Sequence, residues 1–196
     1  FKWNRPVVAD IPFKQFRQDP EGSSIPTPSG KIEIFSETLW NLSQTWKLPP
    51  GDVISALPEF HSTWGMPGDP DATEYPLQVI GHYYKQRTHS SYGNNPWLAD
   101  VAPQNLWMNP LDAKKRKIKS GDRVLVFNQF GQTEVLVKIT PRIMPGVLSL
   151  PQGAWFKPDE KGTDRNGCIN VLTNQRPSPL AKGNPQHTNL AEVKRI

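Results

Sequence analysis

Cysteine occurs once in the 196 residues, as Cys168. A single thiol excludes an internal disulfide, and one thiolate cannot hold an iron–sulfur cluster or a structural zinc. Beside Gly167 it reads as a small, half-buried side chain without chemistry of its own. Long apolar runs are also missing. No stretch approaches the roughly 18 residues a membrane-spanning helix needs, and the start carries no signal-peptide pattern. The chain opens on Phe1 without Met, so a piece of a longer polypeptide is expected. There is no internal repeat and no Gly-x-Ser-x-Gly elbow, which argues against a Ser–His–Asp hydrolase.

Proline, by contrast, is abundant: 21 residues, about twice the usual share of roughly 5%. That disfavours long helices and favours a loop-rich β architecture. Ten prolines fall within residues 1–70, where regular structure is limited to a strand at 31–35 and a short helix from Ser36 through Thr45. Ser36 suits the helix cap, with Glu37 in the first turn. Net charge is +5, mild and spread along the chain. Its densest part, residues 114–119, reads as the solvated face and C-terminal dipole partner of a short helix, in preference to a nucleic-acid patch.

Residues 106–155 carry the clearest pattern. Val124 and Val126, then Val135, Val137 and Ile139, alternate with polar residues, the period of a strand with one buried face. Phe130-Gly131 marks the turn between them, with Gly supplying a conformation other residues resist. Asn109 caps and Pro110 opens a helix that closes at residues 119–122. Six strands are expected, at 75–80, 104–108, 122–128, 132–140, 147–150 and 189–196. The fold class is mainly β: a six-stranded barrel with short helices, residues 71–196, behind a largely irregular extension, residues 1–70.

The loop after the first strand, residues 81–91, holds two His, two Tyr, Lys, Gln, Arg, Thr and two Ser. Such a loop is either a solvated turn or a cradle for a polar, charged ligand. His82 and His89 have the wrong spacing for a helical metal pair, and no third ligand stands near; no metal site is expected. In Pro151-Gln152-Gly153-Ala154-Trp155, Gly153 lets the backbone approach something closely, while Trp155 is expected in the core. Asn170 either caps a turn or faces a ligand, and Gln186-His187-Thr188 lack an evident structural reason.

The ordered motif Asn109-Pro110, Asp112-Ala113, Gly121-Asp122, Val124, Val126, Asn128, Gly131, Val137, Thr140, Pro145-Gly146-Val147, Pro151, Gly153 and Trp155 resembles the C-terminal molybdopterin-dinucleotide-binding domain of the dimethyl sulfoxide reductase family. Thr27-Pro28-Ser29-Gly30-Lys31-Ile32-Glu33 is similar to the stretch preceding that domain, and Gly167, Asn170, Leu172 and Thr173 fit its next element. The tail, residues 180–193, is similar to the dimethyl sulfoxide reductases themselves.

The resemblance implies a double-psi barrel holding molybdopterin guanine dinucleotide. Gly81, His82, Tyr84, Arg87, Thr88, His89, Ser90, Gln152, Gly153, Asn170, Gln186, His187 and Thr188 would line that cofactor, with Arg87 acting on the ligand and not on the fold. The whole enzyme would reduce S-oxides or N-oxides by oxygen-atom transfer in anaerobic respiration, and the isolated chain would be inactive. The molybdenum ligand and iron–sulfur cluster would belong to the N-terminal remainder of the same polypeptide. An iron–sulfur electron-transfer subunit, a membrane anchor subunit and a place on the periplasmic face of the inner membrane would complete it. The reading from a different class is a non-enzymatic basic β-barrel binding single-stranded nucleic acid, using charge and exposed aromatics; a barrel serving only protein contacts is a third.

Overall fold

The computed structural model describes residues 9–184 and 187–196. Gln186 therefore lies outside the described residues. The chain divides into two compact units: residues up to Leu48 with Val53–Phe60, and Pro49–Asp52 with His61–Ile196.

In the first unit, α1 spans Lys14–Gln18 and α2 spans Glu37–Thr45. Ser36 caps α2, its hydroxyl accepting from the Leu39 amide at 3.3 Å. The expected strand at 31–35 does not form. Its segment closes on itself instead: Thr27 donates to the Lys31 carbonyl and the Ser29 amide to the Glu33 carboxylate. Ile32 and Ile34 are left exposed. A strand needs a neighbour for its amides, and this segment is paired with none.

The second unit is a closed barrel of β1 Leu77–His82, β2 Asn105–Met108, β3 Arg123–Phe127, β4 Gln132–Ile139, β5 Val147–Pro151 and β6 Asn189–Arg195. Around the barrel the order is β1-β5-β2-β4-β3-β6. β1/β5 and β2/β4 are parallel, and the other four pairs are antiparallel. This is the mainly β, six-stranded barrel expected. Val124, Val126, Val135 and Val137 point inward with Val79, Leu106, Met108, Leu148 and Leu150, all essentially without exposure. Fully burying an aliphatic side chain of this size stabilises by about 1.5–3 kcal/mol, so these alternating positions hold the barrel closed.

Two short helices complete it: α3 Pro96–Val101 and α4 Pro110–Lys115. Asn109 caps α4 by accepting from the Leu111 amide at 2.9 Å. After α4, Arg116 makes a two-pronged pair with Glu192 on β6, at 2.5 and 2.9 Å, which ties this basic end to the barrel wall. Residues 61–70, assigned from sequence to the connecting belt, fall in the barrel unit. Trp64 lies under the Arg176 guanidinium at 4.4 Å, and a Cβ on Gly65 would collide with the Thr188 carbonyl.

Strand direction decides where the loops emerge. Because β1 and β5 run parallel, both end on the same side. β2 is antiparallel to β5 and β6 to β1, so each begins on that side. β4 runs parallel to β2 and antiparallel to β3, so the β3–β4 turn lies there too. Five chain segments thus meet at one rim: those after β1 and β5, those before β2 and β6, and the turn between β3 and β4.

Candidate functional site

β1 delivers the loop that starts at Gly81. The Gly81 amide donates to Nδ1 of His187 at 3.2 Å, which brings the residue before β6 onto the same rim. A Cβ at Gly81 would press into the Gln152 side chain, so Gly81 and Gln152 also lie in contact. Gly153 has φ +90°, and a Cβ there would collide with the His89 carbonyl. Glycine is needed at this close approach for both reasons. Ser90 completes the contact, its carbonyl accepting from Nε1 of Trp155 at 2.8 Å. Trp155 is therefore not a core residue: it is 49% exposed and lies against Gly93, clasping the loop from outside.

His82, Tyr84 and Arg87 form a second cluster on the outer wall. The His82 ring packs on Trp107 at 4.8 Å and edge-on to Tyr84 at 5.1 Å, with Nδ1 2.7 Å from the Ser149 hydroxyl. Burial, and then the Arg87 charge, hold its pKa below the ordinary 6.5. Tyr84 donates its hydroxyl to the Pro103 carbonyl at 2.8 Å, and burial pushes its pKa up. The Tyr84 hydroxyl is thus engaged with backbone. Arg87 lies over the Tyr84 ring at 5.2 Å and donates to Gln104. Thr88 and His89 are exposed, and His89 sits in the left-handed region at φ 49°.

A chain of shallow depressions joins these parts. One of about 70 Å³ is bordered by Tyr84, Arg87, Gln104 and Ala154. Ala154 also borders the next, with Ser90, Trp155, Phe156, Cys168 and Asn170. Phe156 and Asn170 continue into a third, beside Gly131 and Asn174. So Ser90 and Asn170, 80 residues apart, face one groove. Asn170 lies in a 3-10 turn, Ile169–Leu172, whose Val171 carbonyl would meet a Cβ on Gly131 at 2.6 Å. Gly131 is a glycine for that contact, and not for a positive φ as expected from the turn; it is absent from the glycines with positive φ.

The loop carrying Asn170 is held by a residue sequence reasoning missed. Asp164 is fully buried and accepts from Thr133 Oγ1 (2.6 Å), the Cys168 amide (2.7 Å) and the Lys157 amide (2.8 Å). Gln104 was missed too, since it reads simply as the start of a strand. No spacing signal marks either. Cys168 is buried, with its thiol pushed up by burial. Among the described residues, no group of three or more His, Cys, Asp or Glu could hold a metal ion.

The rim meets the chemistry of a polar, extended ligand. Arg87, which borders the first depression, has a buried Nε without a partner among the described residues. Buried polar groups are ordinarily satisfied, so unfilled ones beside a groove invite a ligand's acceptors. Residues 77–190 match the family described as "Molydopterin dinucleotide binding domain". The chain belongs to that family. Its whole length aligns with Dimethyl sulfoxide reductase DmsA of Escherichia coli at 50% identity and of Haemophilus influenzae at 52%, in each case over 24% of the relative. A dimethyl sulfoxide/trimethylamine N-oxide reductase of Cereibacter sphaeroides is 34% identical over 94% of the chain and 22% of its own length. The chain therefore spans about a quarter of the curated relatives it matches.

Acetylene hydratase from Pelobacter acetylenicus shares the fold, with TM-score 0.71 and 22% identity over 91% of this chain and 25% of that one. The chain is thus a molybdopterin-dinucleotide-binding domain, with molybdopterin guanine dinucleotide in its ligand class, and its whole length is similar to about a quarter of a dimethyl sulfoxide reductase. None of this supports the single-stranded nucleic-acid reading.

Proposed function

We propose that the rim seats a molybdopterin guanine dinucleotide within an enzyme that reduces an S-oxide or N-oxide by oxygen-atom transfer. The observation that carries this reading is the meeting of loop 81–90, Gln152-Gly153, Asn170 and His187 on one rim of a dinucleotide-binding barrel. Arg87 borders the first depression and supplies a guanidinium whose Nε has no partner among the described residues. Asn170 is exposed beside the groove and offers its amide. Close backbone packing at Gly81 and Gly153 keeps these donors in place. The bound group supplies the oxygen-atom and electron transfer; the chain holds and orients it.

Cys168 is buried and its thiol pushed up, so it suits neither a cluster nor molybdenum. Both are assigned to the N-terminal remainder of the same polypeptide. An iron–sulfur electron-transfer subunit and a membrane anchor subunit, on the periplasmic face of the inner membrane, complete the proposal as an anaerobic respiratory reductase. The test is to purify the whole enzyme and release its guanine nucleotide and molybdenum. Both are expected, with less of each in Asn170→Ala. An enzyme that carries no dinucleotide overturns the reading. The 196-residue chain alone is expected to reduce no S-oxide, and turnover by it would overturn the division of roles.

A further inference from the structure

We infer that Gln104 is a positioning residue for the cofactor: one amide that clamps three rim segments in register. The inference rests on the cofactor reading above. Oε1 of Gln104 accepts from Nη2 of Arg87 at 2.6 Å. Nε2 donates to the Pro151 carbonyl at 2.7 Å and to the Gly167 carbonyl at 2.9 Å. The partners lie 17, 47 and 63 residues away in the chain. Arg87 belongs to the loop after β1, Pro151 immediately precedes Gln152-Gly153, and Gly167 stands three residues before Asn170. Every segment expected to face the cofactor, apart from the one before β6, is thus joined through this side chain.

The amide has little freedom in this role. Both its N–H hydrogens are engaged by carbonyls, and its oxygen by a cation. Turning it over would set the oxygen against two carbonyls and the NH2 against a guanidinium. Gly167 makes room for it. At φ +72° that residue favours glycine, and a Cβ would fall 2.8 Å from Cγ of Gln104. Arg87 in turn is aimed by Gln104 on one side and the Tyr84 ring on the other, while its Nε remains unpartnered. Gln104 therefore acts on the ligand through Arg87 and through the two backbone carbonyls.

Two near-isosteric substitutions in the whole enzyme separate the arms of the clamp. Gln104→Met removes all three bonds. Gln104→Glu keeps an acceptor for Arg87 and removes both donors. The readouts are amide exchange by segment, the rate of dinucleotide loss and global melting. In Gln104→Met, exchange at 84–90, 152–154 and 166–168 is expected to quicken about tenfold, the scale of one or two lost hydrogen bonds, with 124–126 unchanged and dinucleotide loss faster. In Gln104→Glu, 84–90 keeps wild-type protection while 152–154 and 166–168 loosen. The same exchange pattern in the cofactor-free 196-residue chain separates the clamp from ordering by ligand.

Wild-type exchange at all three segments in either variant overturns the inference. So does uniform loosening of the barrel, or dinucleotide loss at the wild-type rate from Gln104→Met. A wild-type enzyme without dinucleotide would instead defeat the cofactor reading, and the exchange data would still decide whether the clamp exists.

Discussion

The backbone amide of Gly81 donates to Nδ1 of His187 across 106 residues of sequence. The same residue's carbonyl accepts from Nε2 of Gln78 at 3.1 Å, so both ends of His187 are tied to β1. With Nδ1 accepting, the neutral ring carries its hydrogen on Nε2, available as a donor at the rim.

His187→Ala removes one exposed acceptor and leaves the barrel's packing alone. Chain stability in urea is expected to change by less than about 0.5 kcal/mol. The whole enzyme should nevertheless lose dinucleotide faster than wild type. Equal retention would place His187 outside the site.

Its bond to Gln104 predicts that Arg87 has a part in the fold as well as on the ligand. That bond is charge-assisted but only partly buried. Arg87→Ala should therefore cost the isolated chain about 1 kcal/mol in chemical denaturation. Arg87→Lys keeps the charge without the planar fork and should recover little of that. An unchanged midpoint in Arg87→Ala would return the residue to a role on the ligand alone.

His82 predicts how stability varies with pH. Its folded pKa lies below 6.5 because burial and Arg87 disfavour the cation. The unfolded chain then binds more protons as pH falls, so stability is full above about pH 6.5 and declines below it. His82→Gln should flatten that decline in melting curves recorded between pH 7.5 and pH 5. A slope equal to wild type would mean that another group sets the acid sensitivity.

Asp164 anchors the loop that presents Asn170. Replacing one carboxylate oxygen with NH2, in Asp164→Asn, sets a donor against a donor at a fully buried site. A loss of about 2–4 kcal/mol is expected, with amide protection falling first across 156–169. Stability within about 0.5 kcal/mol of wild type would show that the loop holds without this anchor.

Much of the framework was legible because its causes are local. Val124, Val126, Val135 and Val137 alternate, and the alternating side of each strand became the barrel interior. Ser36 and Asn109 cap the helices that follow them because a short polar side chain reaches an amide two or three residues on. Local pattern also misled. Residues 31–35 have the alternation of a strand but no neighbour to complete its hydrogen bonds, and Trp155 has the composition of a core residue but lies outside, clasping Ser90.

Sequence by itself determined the strand positions, the caps and, through motif resemblance, a set of rim residues that includes Gly81, Gly153, Asn170 and His187. Only the tertiary structure decided how those residues meet and what holds them. Gln104 joins Arg87, Pro151 and Gly167, and Asp164 joins Thr133 to Lys157 and Cys168. The physical reason is range. Periodicity and capping act over a few residues, whereas a side-chain amide finds its partners only after the strand order β1-β5-β2 has brought distant loop ends within 3 Å.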